Sequence, residues 1–240
     1  MANNPPVGAW ELVSESDTGI IIYTGSHYAA SLMPKDRQRS TRHETTPDEA
    51  LDAMFTCPAL ADTYTVSGSR ITHVRVANVR PELSGPPHVI DYTIDGETMT
   101  QTVVSGGRTA GASFKFRKTP SGGVESPLPG AWEMVDDAEQ GPTIFTKTHY
   151  VIVRMHKQRD LPKGEQYTPE GALTTLYTSG AQAGPYTISG TTLSMERTSN
   201  LRPQATGVTG VMDITIDGDT LKTQTTSGFK ITYEYIWHKV

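Results

Sequence analysis

The chain has 240 residues, enough for one large domain or two of about 110 to 120, and its composition, 35% hydrophobic and 20% charged, is ordinary for a globular protein. A formal charge of −5, from 26 acidic and 21 basic residues, gives no electrostatic basis for binding nucleic acid or an anionic membrane surface. A single cysteine, Cys57, excludes an internal disulfide and a cysteine zinc cluster, and no apolar run approaches the roughly 18 residues of a membrane-spanning helix.

The opening residues, MANNPPVGAWEL, lack a basic segment followed by an apolar one, so no secretory leader is expected and a cytoplasmic location is. The spacing then predicts a hairpin from Ile20–Thr24 and His27–Met33 around Gly25-Ser26. Thr46 is an expected N-cap with Pro47 at N1 and Glu49 completing a capping box, so a short helix follows over Ala50 to Phe55. A second hairpin joins Thr63–Ser67 to Arg70–Asn78 through Gly68, and a third joins Val89–Ile94 to Thr98–Ser105 through Asp95-Gly96. A last strand runs from about Ala112 to Lys118. Mostly alternating apolar residues with such frequent turns predict an antiparallel meander, whose edges vanish if it closes into a barrel.

The same plan is then written again. GAWELV at 8–13 returns as GAWEMV at 130–135, and an offset of 122 carries His27-Tyr28 onto His149-Tyr150 and Thr46-Pro47 onto Thr168-Pro169. It also carries YTVSG at 64–68 onto YTISG at 186–190, Arg75 onto Arg197, and Ser105-Gly106 onto Ser227-Gly228. Two copies of one fold are therefore expected, in residues 1–118 and 130–240, with the Gly- and Pro-rich segment 119–129 as linker.

Gly8-Ala9-Trp10 and Gly130-Ala131-Trp132, each with a basic residue closing its copy (Arg117 and Lys239), resemble the lipocalin, or calycin, barrel, where a cation lies over the tryptophan. The phrases IYTGSHYAASLM, YTVSGSRITH and IDGETMT are more narrowly similar to small bacterial and fungal lipocalin-like domains. The resemblance implies an all-β fold: two tandem lipocalin-like antiparallel barrels of about eight strands plus one short helix, related by pseudo-two-fold symmetry. It implies a cavity for a small, largely apolar molecule, and a family that includes binders, cyclases and isomerases with no fixed catalytic set.

Read at the constant offset, the two copies differ in filling. The expected inner face of the second hairpin strand is His27, Ala29, Ser31, Met33 in one copy and His149, Val151, Val153, Met155 in the other. On the last strands Gly107, Thr109, Gly111, Ser113 and Lys115 stand opposite Phe229, Ile231, Tyr233, Tyr235 and Trp237. Because interiors pack densely, this predicts a hollow first barrel and a plugged second one. The alternative is a mobile glycine loop in the first copy and an aromatic face covering an inter-barrel contact in the second.

Counting by twos from Ile71 places His73 and Arg75 inside the first barrel. His73 is the candidate acid or base, or else a satisfied core histidine. Arg75, matched by Arg197, is the candidate for holding a carbonyl, enolate or carboxylate, or else a structural brace. His27, Ser31, Met33, Tyr64, Tyr92, Gln101 and Ser113 complete the expected ligand-binding wall. Arg154 and His156 are expected on the surface or an interface, and Asp91 and Asp213 on a solvated outer face. No metal ligand set and no cofactor motif is present, so neither is expected. Two functions fit: a cofactor-free cyclase, isomerase or pericyclase acting on a polyketide- or terpenoid-like molecule, and an intracellular carrier of a small hydrophobic ligand. A monomer of two barrels and a homodimer both fit the fused repeat.

Overall fold

The computed structural model describes residues 5–37, 44–80, 85–106, 110–123, 125–159, 167–228 and 234–240. The first half contains β1 (Gly8–Leu12), β2 (Asp17–Tyr23), β3 (His27–Pro34), α1 (Pro47–Thr56), β4 (Ala59–Ser67), β5 (Arg70–Asn78), β6 (His88–Asp95), β7 (Thr98–Ser105) and β8 (Ser113–Lys118). Each strand pairs antiparallel with the next, and β1 pairs with β8 to close the barrel. The second half repeats this with β9 (Gly130–Met134), β10 (Glu139–Gln140), β11 (Pro142–Phe145), β12 (His149–His156), α2 (Pro169–Tyr177), β13 (Ser179–Ser189), β14 (Thr192–Glu196), β15 (Ser199–Asn200), β16 (Thr209–Asp217), β17 (Thr220–Ser227) and β18 (Glu234–Lys239). The short β10 continues β11 across Gly141, and the short β15 adds to β13, so the protein is all-β with two eight-stranded antiparallel barrels in tandem. Among the described residues no helix is long and apolar enough to cross a membrane.

Local chemistry explains the elements. Thr46 accepts from the Glu49 backbone N–H while the Glu49 carboxylate accepts from the Thr46 N–H, the reciprocal pair that starts α1. In α2 the N3 position is Gly171, so only the Thr168 half of that pair forms. Gly141 kinks the second strand of its barrel at φ +127°, and a Cβ there would lie 2.1 Å from the Val153 carbonyl oxygen.

Each barrel is anchored in the same way at one end. The Trp10 indole donates to the Pro6 carbonyl at 2.8 Å and the Trp132 indole to the Leu128 carbonyl at 2.7 Å. Lys118 lies 5.6 Å from the Trp10 ring centroid and Lys239 lies 5.2 Å from that of Trp132. The closing cation of the first barrel is therefore Lys118, not Arg117, which faces outward and is exposed.

That pair also corrects the constant offset. The tryptophans differ by 122 positions (132 − 10) and the lysines by 121 (239 − 118). Strand pairing agrees: Met99 faces Phe116, and Leu221 faces Trp237. The second copy is thus one residue shorter between Gly228 and Glu234. The expected contrasts at Gly107, Thr109, Phe229, Ile231 and Tyr233 lie outside the described residues.

The barrels pack against each other through a third apolar cluster that includes Ala29, Met33, Ala61 and Met54 from one half and Val151, Val153, Ala183 and Leu176 from the other. Two reciprocal contacts mark the pseudo-two-fold relation: His27 Nε2 to Glu133 at 3.6 Å, and His149 Nε2 to Glu11 at 3.9 Å. Each partner lies 122 positions from its counterpart (149 − 27 and 133 − 11).

Candidate functional site

The packing of barrel on barrel overturns the expected inner face of β3 and β12. His27, Ala29, Ser31 and Met33 point at the other barrel, while Tyr28, Ala30 and Leu32 point into their own. His27 Nδ1 hydrogen-bonds Ser26 at 2.8 Å, the Ser31 hydroxyl meets the Ser199 hydroxyl across the seam at 2.9 Å, and Met33 lies in the inter-barrel cluster. None of the three faces the first barrel's interior. Both faces of these strands are buried, so hydrophobicity alone does not identify the inner one. The same slip moves Arg154 from the expected surface or interface to the cavity wall of the second barrel, while His156 stays half-exposed, 3.3 Å from Glu139. Ser113 is exposed on the outer wall, within 3.2 Å of the Thr102 hydroxyl, and Phe114 and Phe116 take the inward positions of β8 instead. Asp91 pairs with Arg70 on the outer face, its carboxyl held below the ordinary range by that hydrogen bond, and Asp213 is exposed.

The remaining expected residues meet inside the first barrel. A bulge between Ala61 and Asp62 turns the Asp62 carboxylate inward, fully buried, where its oxygens lie 2.8 Å from Arg75 Nε and 3.4 Å from His73 Nδ1. His73 Nε2 lies 3.4 Å from the Tyr23 hydroxyl, which accepts from the Gln101 amide at 3.0 Å. Rings enclose the histidine: Tyr28 at 4.5 Å, Tyr23 at 5.9 Å, and His88 at 5.9 Å between centroids. Tyr64 donates to the Thr24 carbonyl, and Tyr92 is buried beside them. Burial raises the Tyr23 and Tyr28 hydroxyls far above their ordinary value and pushes Tyr64 up to about 12. Burial, then His73 and Arg75, push the His88 imidazole down to about 4.

This cluster places His73 as a relay would, but His73 is only 2% exposed and Asp62 is fully buried, so it fills the barrel with an ion pair and the Tyr23–His73 and Gln101–Tyr23 hydrogen bonds. The sequence reading missed Asp62. The signal was available, since Asp62 falls at the offset position of Gly184, a charge where its copy has none.

The second barrel has the cavity. It encloses about 450 Å³, in the range of small-molecule sites, and its floor includes Phe145, Leu193, Met212, Leu221 and Trp237. The expectation of a plugged second barrel is reversed. At the position of Tyr23 stands Phe145, of His73 stands Met195, of Gln101 stands Thr223, and of Asp62 stands Gly184, so the polar filling of the first barrel is gone. Tyr235 and Trp237 line the wall without closing it, and their true counterparts, Phe114 and Phe116, are aromatic too.

The cavity's polar groups include the arginines Arg154, Arg197 and Arg202, with Thr143, Gln182, Asn200, Gln204 and Thr223. Arg197, kept in both copies, donates to the Gly228 carbonyl at 2.9 Å, and burial lowers its affinity for its proton. Arg154 pairs with Glu139 at 2.9 Å and lies over the Tyr235 ring at 5.0 Å, bonded to its hydroxyl. The Thr143 hydroxyl, on the wall and 2% exposed, has no hydrogen-bond partner among the described residues. Arg202 and Gln204, half-buried beside the exposed Tyr177, stand at the cavity's outer margin.

No protein-family model matches the chain, and no curated protein matches it in sequence. Among solved structures, similarity extends to the DNA polymerase sliding clamp of Pseudomonas aeruginosa, at 8% identity over 100% of this chain and 79% of that one, with a TM-score of 0.15. The DNA polymerase III beta subunit of Thermotoga maritima matches at 8% identity over 98% and 76%, with a TM-score of 0.16. Superposition that poor carries no argument about fold or function.

Proposed function

We propose that the chain is a binding protein for a small, largely apolar molecule, held in the second barrel, and that its two halves descend from one lipocalin-like domain. The carrying observation is the cavity of about 450 Å³, whose apolar floor is joined by polar side chains that include three arginines, a volume and a mixed lining in the range of small-molecule sites. The buried Thr143 hydroxyl supports it, because a ligand oxygen would satisfy a group whose desolvation otherwise goes uncompensated. The first barrel, packed by its own network, acts as the partner that covers the other face of β12 and β13.

The enzyme reading survives in altered form. His73 and Arg75 do not line the cavity, and none of the described residues that do is a histidine, aspartate, glutamate or lysine. General acid or base catalysis by carboxylate or imidazole therefore has no support here. A cyclisation needing only confinement, with Arg197 steadying a carbonyl or enolate oxygen, is the second reading. A cytoplasmic location and a natural-product substrate remain part of this proposal. Native mass spectrometry of protein purified from its own host tests it: a co-purifying small molecule lost on Leu193→Trp supports binding in the second barrel. Ligand retention by that variant removes the proposal, and conversion of the bound molecule over time favours the enzyme.

A further inference from the structure

One stretch of the cavity wall is held from outside its own barrel. Between β14 and β16 the chain leaves Arg197 and returns at Gly207, whose N–H donates to the Arg197 carbonyl at 2.8 Å, so residues 198–206 form a compact loop with its ends pinned together. Leu201, 1% exposed, lines the cavity, and so does Gln204, half-buried at its outer margin. This loop therefore runs from interior to surface and forms part of the wall between cavity and water. β13 holds its near end: Asn200 pairs with Gln182, and the Leu201 N–H donates to the Ala181 carbonyl at 2.9 Å.

A further grip comes from the first barrel. Just past β3, the Arg37 guanidinium donates to the Asn200 carbonyl at 2.6 Å and to the Leu201 carbonyl at 2.8 Å, a charge-assisted pair that fixes two successive peptide planes. The Thr45 hydroxyl donates to the Gln204 side-chain oxygen at 3.0 Å, and the Ser31 and Ser199 hydroxyls meet at 2.9 Å. The mirror contacts, at an offset of 122, differ. Arg159 reaches the Val79 carbonyl at the longer distance of 3.4 Å, and Val153 and Ala77 stand where the two serines would be. Among the described residues, the polar grip across the seam is thus concentrated on the loop that borders the cavity.

Resting on the reading that this cavity binds a ligand, we propose that loop 198–206 is the gate of the second barrel and that Arg37 of the first barrel is its latch. Arg37 is not among the residues that line the cavity, so it is a positioning residue that controls ligand exchange without touching the ligand. The first barrel then does more than cover the outer face of β12 and β13: it sets how often the cavity opens. Such a latch slows entry and exit together and leaves affinity nearly unchanged, because the gate is closed in the free and in the bound protein alike.

Stopped-flow fluorescence of the intact chain with N-phenyl-1-naphthylamine, an uncharged apolar probe, tests this. Arg37→Met is expected to raise the association and dissociation rates each by at least about fivefold while Kd stays within about threefold. Arg37→Lys, which keeps the charge but lacks the planar fork that bridges both carbonyls, is expected to fall between. Arg159→Met removes the mirror contact and is expected to leave both rates within about twofold. Should Arg37→Met not fold, Ser31→Ala combined with Thr45→Ala is expected to shift both rates in the same direction. Unchanged rates in whichever of these first-barrel variants folds, a rise in dissociation alone, or an equal rise in Arg159→Met overturns the latch and leaves the cavity reading intact. No binding of the probe, or binding indifferent to Leu193→Trp, overturns the cavity reading itself and the latch with it.

Discussion

Asp62 and Gly184 occupy the same position in two copies of one barrel, and the carboxylate at the first anchors a polar filling that the second lacks. Asp62 is fully buried against Arg75 and His73, so its charge is tolerated only because both partners are in place. Among the described residues, the interior of the second barrel, where the cavity lies, differs from that of the first at this position and at those of Tyr23, His73 and Gln101.

Asp62→Asn keeps the shape and removes the charge, leaving the Arg75 guanidinium buried without its carboxylate. A loss of about 3–5 kcal/mol is expected from denaturant unfolding. A loss below about 1 kcal/mol would show that the network does not hold the first barrel together.

Acid should weaken the fold through His88. Its pKa is pushed down to about 4 by burial first and by His73 and Arg75 next, against an unfolded value near 6.5. Between those values the unfolded chain binds the proton and the folded chain does not, so stability is full above about pH 6.5 and falls toward pH 4. His88→Phe should flatten the stability profile over that window. An unchanged slope would assign the acid sensitivity to other groups.

Thr143→Val is nearly isosteric and deletes the buried hydroxyl that lacks a partner among the described residues. The ligand-free protein should gain about 1 kcal/mol, read as a raised unfolding midpoint. A comparable loss instead would mean that the hydroxyl is satisfied in the free protein.

The register of the last strand can be checked by alanine substitution. Lys118→Ala should cost about 0.5–1 kcal/mol through its lost contact with Trp10, while Arg117→Ala should be close to neutral. The reverse order would restore the constant offset of 122 through β8.

Much of the fold is legible in the sequence, and the reasons for the failures are specific. Thr46 and Glu49 announce α1, Asp95-Gly96 announces a hairpin, and the two Gly-Ala-Trp openings announce the repeat, because each depends on chemistry between near neighbours. The inner face of β3 depends instead on a packing partner about 120 residues away. Alternation sorts His27, Ala29, Ser31 and Met33 from Tyr28, Ala30 and Leu32, but both sets are buried, one in the barrel and one in the seam. The cavity was misassigned for a separate reason. One residue fewer before β18 turned Phe114 and Phe116 into apparent Ser113 and Lys115, and an aromatic lining shared by both barrels then read as a difference between them. Asp62 went unnoticed because only the bulge at Ala61 brings it to Arg75.

The central claim is that the ligand site lies in the second barrel and not around His73. A crystal structure of the protein soaked in 1-bromooctane, with the bromine located by anomalous scattering, tests it most directly. The account predicts a bromine within the second barrel. A bromine in the first barrel beside His73, with the second barrel unchanged, would contradict it.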